Sequence, residues 1–250
     1  MGRYILVSVI AYLLGSISFA VIFGKIFGKK DVRKEGSKNA GSTNVLRTVG
    51  KKAAILTLIC DILKGVGAVL IALAIAGIMQ VSENEKLVMV QLAGIFVIIG
   101  HTLPIFFKFK GGKGVATALG VLLVTNWHIG LICLVYALIL MALSQTVSLG
   151  SIAAAVLFPT LVITGTSADS FITPGNYIFF SIVVGLLIIW NHRANIKRLV
   201  RGEENRINFH KSKKVRETER KIMETIDSTI PEEENTTSRT KSKSKTRSRK

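Results

Sequence analysis

Seven long apolar stretches dominate this chain and constrain its fold more than any other feature. They run near residues 4–26, 53–79, 87–108, 114–126, 128–146, 149–166 and 176–199. A helix that crosses a bilayer needs about 20 mainly apolar residues. Inside hydrocarbon the backbone must satisfy its own polar groups, which makes each stretch a helix. With 49% hydrophobic and 19% charged residues, the chain reads as an all-α polytopic membrane bundle of about seven transmembrane helices. The fourth stretch is short, and polar or glycine breaks near 126–128 and 147–151 leave five or six spans as alternatives if the middle segments are re-entrant. The opening MGRYILVSVIAYLLGSISFAVIFG has no small-residue cleavage site directly after a short apolar core, so a retained first helix is expected.

The position of the charge matters more than its size. The formal net charge is +18, yet nine Lys or Arg lie between Lys25 and Lys52, and Lys108, Lys110 and Lys113 follow the third stretch. The opposite side holds Arg3 and Lys86. The basic side is normally cytoplasmic, so seven spans put the N-terminus outside and the C-terminus in the cytoplasm. From Gly202 onward the chain carries 14 Lys/Arg and 9 Asp/Glu and ends in RTKSKSKTRSRK. Residues 206–250 are accordingly expected to be a disordered, charged tail behind a membrane domain of residues 1–205, attracted to anionic lipid headgroups. No specific nucleic acid is expected. Cys60 and Cys133 sit inside apolar runs without metal-ligand or redox spacing.

This topology delivers polar clusters from separate spans to one face. In GSKNAGSTNVLR, Gly36 and Gly41 permit close backbone approach. Ser37, Ser42 and Thr43 supply hydroxyls, Asn39 and Asn44 amides, and Arg47 a planar donor fork suited to phosphate or carboxylate. The stretch reads as an oxyanion cradle, with a plain helix cap as its alternative. In GHTLPIFFKFKGGKGVATALG, Gly111, Gly112 and Gly114 surround Lys113 just before a helix. That arrangement either presents an anion site at a helix N-terminus or only turns the chain back into the membrane. A smaller cluster, SQTVSLGS, contains Ser148. Asp61 and Lys64 share a helical face and read as a structural ion pair or as groups shaping the site. His101 is open between packing and function. In NHRANIKRLVRGEENRI, His192 and Asn195 lie one turn apart, and no second ligand at metal spacing accompanies His192, so no metal or other cofactor is expected.

Together the three clusters resemble the signature motifs of the bacterial acyl-phosphate:glycerol-3-phosphate acyltransferases, the PlsY-type integral membrane enzymes, over about residues 1–205. The resemblance implies transfer of a fatty acyl group from acyl phosphate to the 1-hydroxyl of glycerol 3-phosphate. The product is lysophosphatidic acid, in the first step of phospholipid biosynthesis, at a cytoplasm-facing site of the bacterial cell membrane. It implies catalytic roles for Ser37 and His192 and substrate binding by Asn39, Thr43, Asn44, Arg47, Lys113, Ser148 and Asn195. Gly36, Gly41, Gly111, Gly112 and Gly114 would form the loops. Lys38, Ala40 and Ser42 replace the usual Gly, Pro and Ala of the first motif, and Asn191 and Ala194 stand where Arg and Glu are common. An acyl phosphate carries its own leaving group, so orientation and charge neutralisation suffice.

Overall fold

A computed structural model describes residues 1–165 and 175–206. The expected tail from residue 207 on therefore lies outside the described residues. Among those described, all regular structure is helical.

The first apolar stretch is expected as one helix but is two, α1 (Gly2–Gly15) and α2 (Phe19–Gly28). The cause is local: Ser16 Oγ donates to Tyr12 O at 2.8 Å, a side-chain bond that competes with the helical ladder. Lys64 then donates to the freed carbonyls of Gly15 (3.0 Å) and Ile17 (2.9 Å). A cation at a helix C-terminus satisfies what the break leaves open.

A short helix, α3 (Ser42–Thr48), follows, then the long α4 (Lys51–Ile78) and α5 (Glu83–Thr102). Helix α5 opens on a capping box, in which Ser82 and Glu85 satisfy each other's backbone N–H groups. The chain continues through α6 (Val115–Thr125), α7 (Trp127–Ser144), α8 (Val147–Thr164), α9 (Gly175–Asn191) and α10 (Arg193–Val200). Helices α9 and α10 were expected as one span; they bend by 61° at His192. Among the described residues, five helical segments are long and apolar enough to cross a membrane, and six if the bent pair counts as one. Helix α6 has 11 residues, about 16 Å of rise against a hydrocarbon core of about 30 Å.

Apolar side chains face outward along the helices, among them Leu63, Leu70, Ile132, Leu138, Phe179 and Leu186. The helices meet one another through glycine instead. A Cβ on Gly65 would strike the Thr117 carbonyl and one on Gly120 the Ile62 carbonyl, so α4 and α6 cross almost backbone to backbone. Small residues are what permit such contacts between membrane helices. Pro159 inside α8 cannot donate to Ala155 O, and Gly185 of α9 lies against that same carbonyl.

Polar contacts mark the two ends of the bundle. Arg3 pairs with Glu85 at one. At the other, Arg33 Nη1 donates to Phe107 O at 2.6 Å while Asp31 clamps its guanidinium. That bond to Arg33 holds the Asp31 carboxyl at about 2, well below the usual carboxylate range.

Candidate active site

The first cluster folds around one buried amide. Asn44, 1% exposed, donates from Nδ2 to Val32 O (2.7 Å), Asn39 O (3.0 Å) and Glu35 O (3.1 Å). Its Oδ1 accepts from Ser37 N at 2.9 Å. The amide that the sequence offers as a substrate contact is consumed in shaping the loop. Gly36 stands beside it at φ +56, in the left-handed region, and a Cβ there would strike Asn44 Oδ1. Gly41 precedes α3.

The second cluster is stitched to the first. Ala40 N donates to Gly111 O at 3.3 Å, and Gly112 N donates to His101 O at 3.0 Å. A Cβ on Gly111 would strike His101 O, and one on Gly112 the His101 imidazole. Gly114 adopts φ +89. These glycines press the loop flat onto the end of α5 and leave Lys113 projecting from it.

Lys113 Nζ donates to Asn195 Oδ1 at 2.5 Å. Burial, with Arg198 and Arg47 nearby and Glu204 opposing, holds the Lys113 ammonium down to about 8. Asn195 Nδ2 donates to Glu204 Oε1 at 2.9 Å and Arg198 Nε to Glu204 Oε2 at 2.8 Å. Arg47 reaches the same segment, donating from Nη2 to Asn205 O at 3.4 Å. His192, 2% exposed at the bend, donates from Nδ1 to Ile188 O at 2.8 Å. A neutral imidazole so bonded keeps its lone pair on Nε2.

The polar side chains of these clusters border one cavity of about 580 Å³. Ser37, Asn39, Thr43, Asn44, Arg47, Lys113, Ser148, His192 and Asn195 line it, with Gly41 and Gly114. Gly36, Gly111 and Gly112 are not among its lining residues. The Ser148 hydroxyl oxygen is buried without a hydrogen-bond partner. Beyond this polar end the cavity runs inward between α6, α7, α8 and α9 along an apolar wall that includes Leu122, Leu134, Ala137, Ala155, Phe158 and Val184.

Two features escaped the sequence. Glu204 brings a carboxylate into a cationic site, because Gly202 at φ +69 reverses the chain after α10. Its N–H donates to Leu199 O at 3.1 Å, and Glu203 N to Arg198 O at 2.8 Å. A glycine just past a helix end is the signal that could have found it. Asp61 and His101 also line the cavity, which their pattern left undecided.

A helical membrane body with a cationic, hydroxyl-bearing cavity that continues into an apolar slot defines a class: proteins that handle an anionic head joined to a hydrocarbon chain. The chain belongs to the glycerol-3-phosphate acyltransferase family, whose model matches residues 5–202. It is 46% identical over 204 residues to a glycerol-3-phosphate acyltransferase of Paraburkholderia phymatum, covering 81% of this chain and 92% of that protein. The corresponding protein of Clostridioides difficile is 42% identical, with 82% and 95% covered. The crystal structure of PlsY (YgiH), an integral membrane glycerol 3-phosphate acyltransferase, in its glycerol 3-phosphate form superposes with a TM-score of 0.71 at 39% identity, covering 82% of this chain and 96% of that one. Its lysophosphatidic acid form gives 0.69 at the same identity. This protein is therefore a membrane acyltransferase.

Proposed function

We propose that this chain transfers a fatty acyl group from acyl phosphate to the 1-hydroxyl of glycerol 3-phosphate, releasing lysophosphatidic acid and phosphate, at the cytoplasmic face of a bacterial cell membrane. The observation that carries the proposal is the single cavity with its two kinds of wall. Arg47, Lys113 and Ser37 suit a phosphate, and the slot toward Phe158 suits a hydrocarbon chain. Family membership supports the acceptor, since the related structure is described in forms with glycerol 3-phosphate and with the acylated product.

The glycerol oxygen attacks the acyl carbonyl, the carbon to phosphate-oxygen bond breaks, and phosphate leaves with the bonding pair. The hydroxyl proton goes to Nε2 of His192, the nitrogen its bond to Ile188 leaves free. Ser37, Asn39, Thr43, Arg47, Lys113, Ser148 and Asn195 orient glycerol 3-phosphate, and Asn44 with the glycines holds the loops that carry them. Metal or carrier is not needed for a leaving group that is already phosphate.

The topology follows from the same end assignment. Helix α6 starts beside Lys113 and ends at Thr125, which shares a cavity wall with Glu83, Lys86 and Tyr177. That is the end where Arg3 meets Glu85, which supports reading short α6 as a seventh crossing beside the five or six segments long enough to span on their own. Lysines and arginines crowd the other end, which is cytoplasmic by their bias.

The test supplies purified protein with palmitoyl phosphate and labelled glycerol 3-phosphate. Labelled lysophosphatidic acid is expected, and its persistent absence beside an active relative would sink the proposal. Arg47→Ala and Lys113→Ala are each expected to raise KM for glycerol 3-phosphate about tenfold or more, the loss of a charged hydrogen bond. Unchanged kinetics in both would remove them from the site.

A further inference from the structure

We infer that Asp61, Lys64 and His101 act as a positioning triad that fixes Lys113 from inside the helical body. The inference rests on the acyltransferase reading and concerns residues that never need touch substrate. All three are buried, at 1%, 4% and 7% exposure. Lys64 Nζ lies 3.0 Å from Asp61 Oδ1. His101 Nδ1 stands 3.4 Å from the same oxygen, an ion-pair distance without a formed hydrogen bond.

Ionisable groups at membrane depth are costly unless paired, and apolar residues would fill the same space at less expense. What this cluster holds offsets the cost. Lys64 spans from Asp61 to the carbonyls of Gly15 and Ile17 at the break in the first span. His101 extends from Asp61 in the other direction. Its imidazole packs under Gly112, its carbonyl accepts from Gly112 N at 3.0 Å, and Gly111 O accepts from Ala40 N at 3.3 Å. A chain of contacts, with a 3.4 Å approach of His101 to Asp61 as its loosest step, thus links the broken first span through the triad to both loops.

Lys113 is the next residue after Gly112, and its ammonium sits 2.5 Å from Asn195. Without the imidazole beneath it, the glycine loop can settle into the vacated space and carry that ammonium with it. Displacement of such a group by about 1 Å is enough to cost up to a hundredfold in rate. The apolar slot, built from α6 to α9, does not depend on the triad, so the two substrates should respond differently.

The experiment measures KM for glycerol 3-phosphate and for palmitoyl phosphate in the purified full-length protein. His101→Leu is expected to raise KM for glycerol 3-phosphate about tenfold, and to leave KM for palmitoyl phosphate within about twofold. His101→Asn, whose Nδ2 can occupy the place of the imidazole Nδ1 beside Asp61 while leaving the space under Gly112 open, is expected to recover part of the loss. Gly112→Ala, which pushes the imidazole aside from the loop's side, is expected to shift the same constant in the same direction. A native-like KM for glycerol 3-phosphate in His101→Leu, or an equal rise for both substrates, overturns the triad. Should His101→Leu fail to yield monodisperse protein, the other two decide: a normal constant in Gly112→Ala, or one in His101→Asn as poor as in Gly112→Ala, overturns it. Native protein that makes no lysophosphatidic acid refutes the underlying reading. Calorimetric binding of glycerol 3-phosphate to the same variants would still report on the triad.

Discussion

Lys113 and Asn44 show how two residues of similar sequence promise divide their work. Lys113 carries a charge that burial holds to about 8 instead of the usual 10.5. Its proton is needed for an anionic substrate, so KM for glycerol 3-phosphate is expected to climb as pH rises through about 8. Stability rises over the range in which affinity falls. Between about 8 and 10.5 the unfolded chain binds more protons at this site than the folded one, so this residue's contribution to stability increases with pH there. A KM and an unfolding temperature that both rise across that window would identify Lys113; a flat KM would not. Lys113→Arg, which keeps the charge but does not titrate in this window, should flatten the rise in KM and is the control for a titration arising elsewhere. Asn44, by contrast, is spent on backbone groups, and Asn44→Ala strands several of them in a closed loop. Each buried group left unsatisfied costs about 1–3 kcal/mol. A clear fall in unfolding temperature is therefore expected, larger than for Asn39→Ala. The residue types and their spacing made both legible as polar-site candidates. Their division of labour was not legible, because a string of letters does not say which amide the loop will close around.

At the scale of elements, hydrophobic length announced the helices, and the deviations have local causes. The first span breaks where Ser16 bonds back to Tyr12 and a lysine from α4 takes up the loose carbonyls. That lysine comes from 47 or more positions away, beyond the reach of any periodicity argument. The last span bends at His192, whose N–H is shared between Ile188 O at 3.1 Å and Ile189 O at 3.0 Å. Helix α6 is legible as short, and its partner is legible only through glycine. Gly120 is the position where that matters most: a Cβ there collides with the Ile62 carbonyl. Gly120→Val is expected to push α6 off α4 and move the loop that begins it. Both a lower unfolding temperature and a lower kcat should result, whereas Gly77→Val, at a position with open space around it, should leave both near native. Equal effects from the two changes would mean that the close crossing has no special role.

For the whole molecule, the motif order pointed to polar groups from separate spans, which line one cavity, and the family match covers residues 5–202. The edge of that body is sharper in the structure than in the sequence. Composition changes character near Gly202, which invites a boundary there. Yet the turn at Gly202 brings Glu204 back to Asn195 and Arg198, and Asn205 O to Arg47. These contacts bring residues 203–205 to the cavity, although their composition already resembles that of the charged segment that follows. Two truncations separate the alternatives. A chain ending after Arg206 keeps every one of these contacts and is expected to retain native kcat and KM. A chain ending after Arg201 removes Glu204 and leaves Asn195, Arg198 and Arg47 without their partners. Its KM for glycerol 3-phosphate is expected to rise several-fold, as for loss of one or two charged hydrogen bonds. Glu204→Gln in the full chain distinguishes the source of the effect, since glutamine can still accept from Asn195 but no longer balances Lys113 and Arg47. If both truncations behave alike, the boundary belongs at Gly202, and Glu204 is an ornament of the resting site.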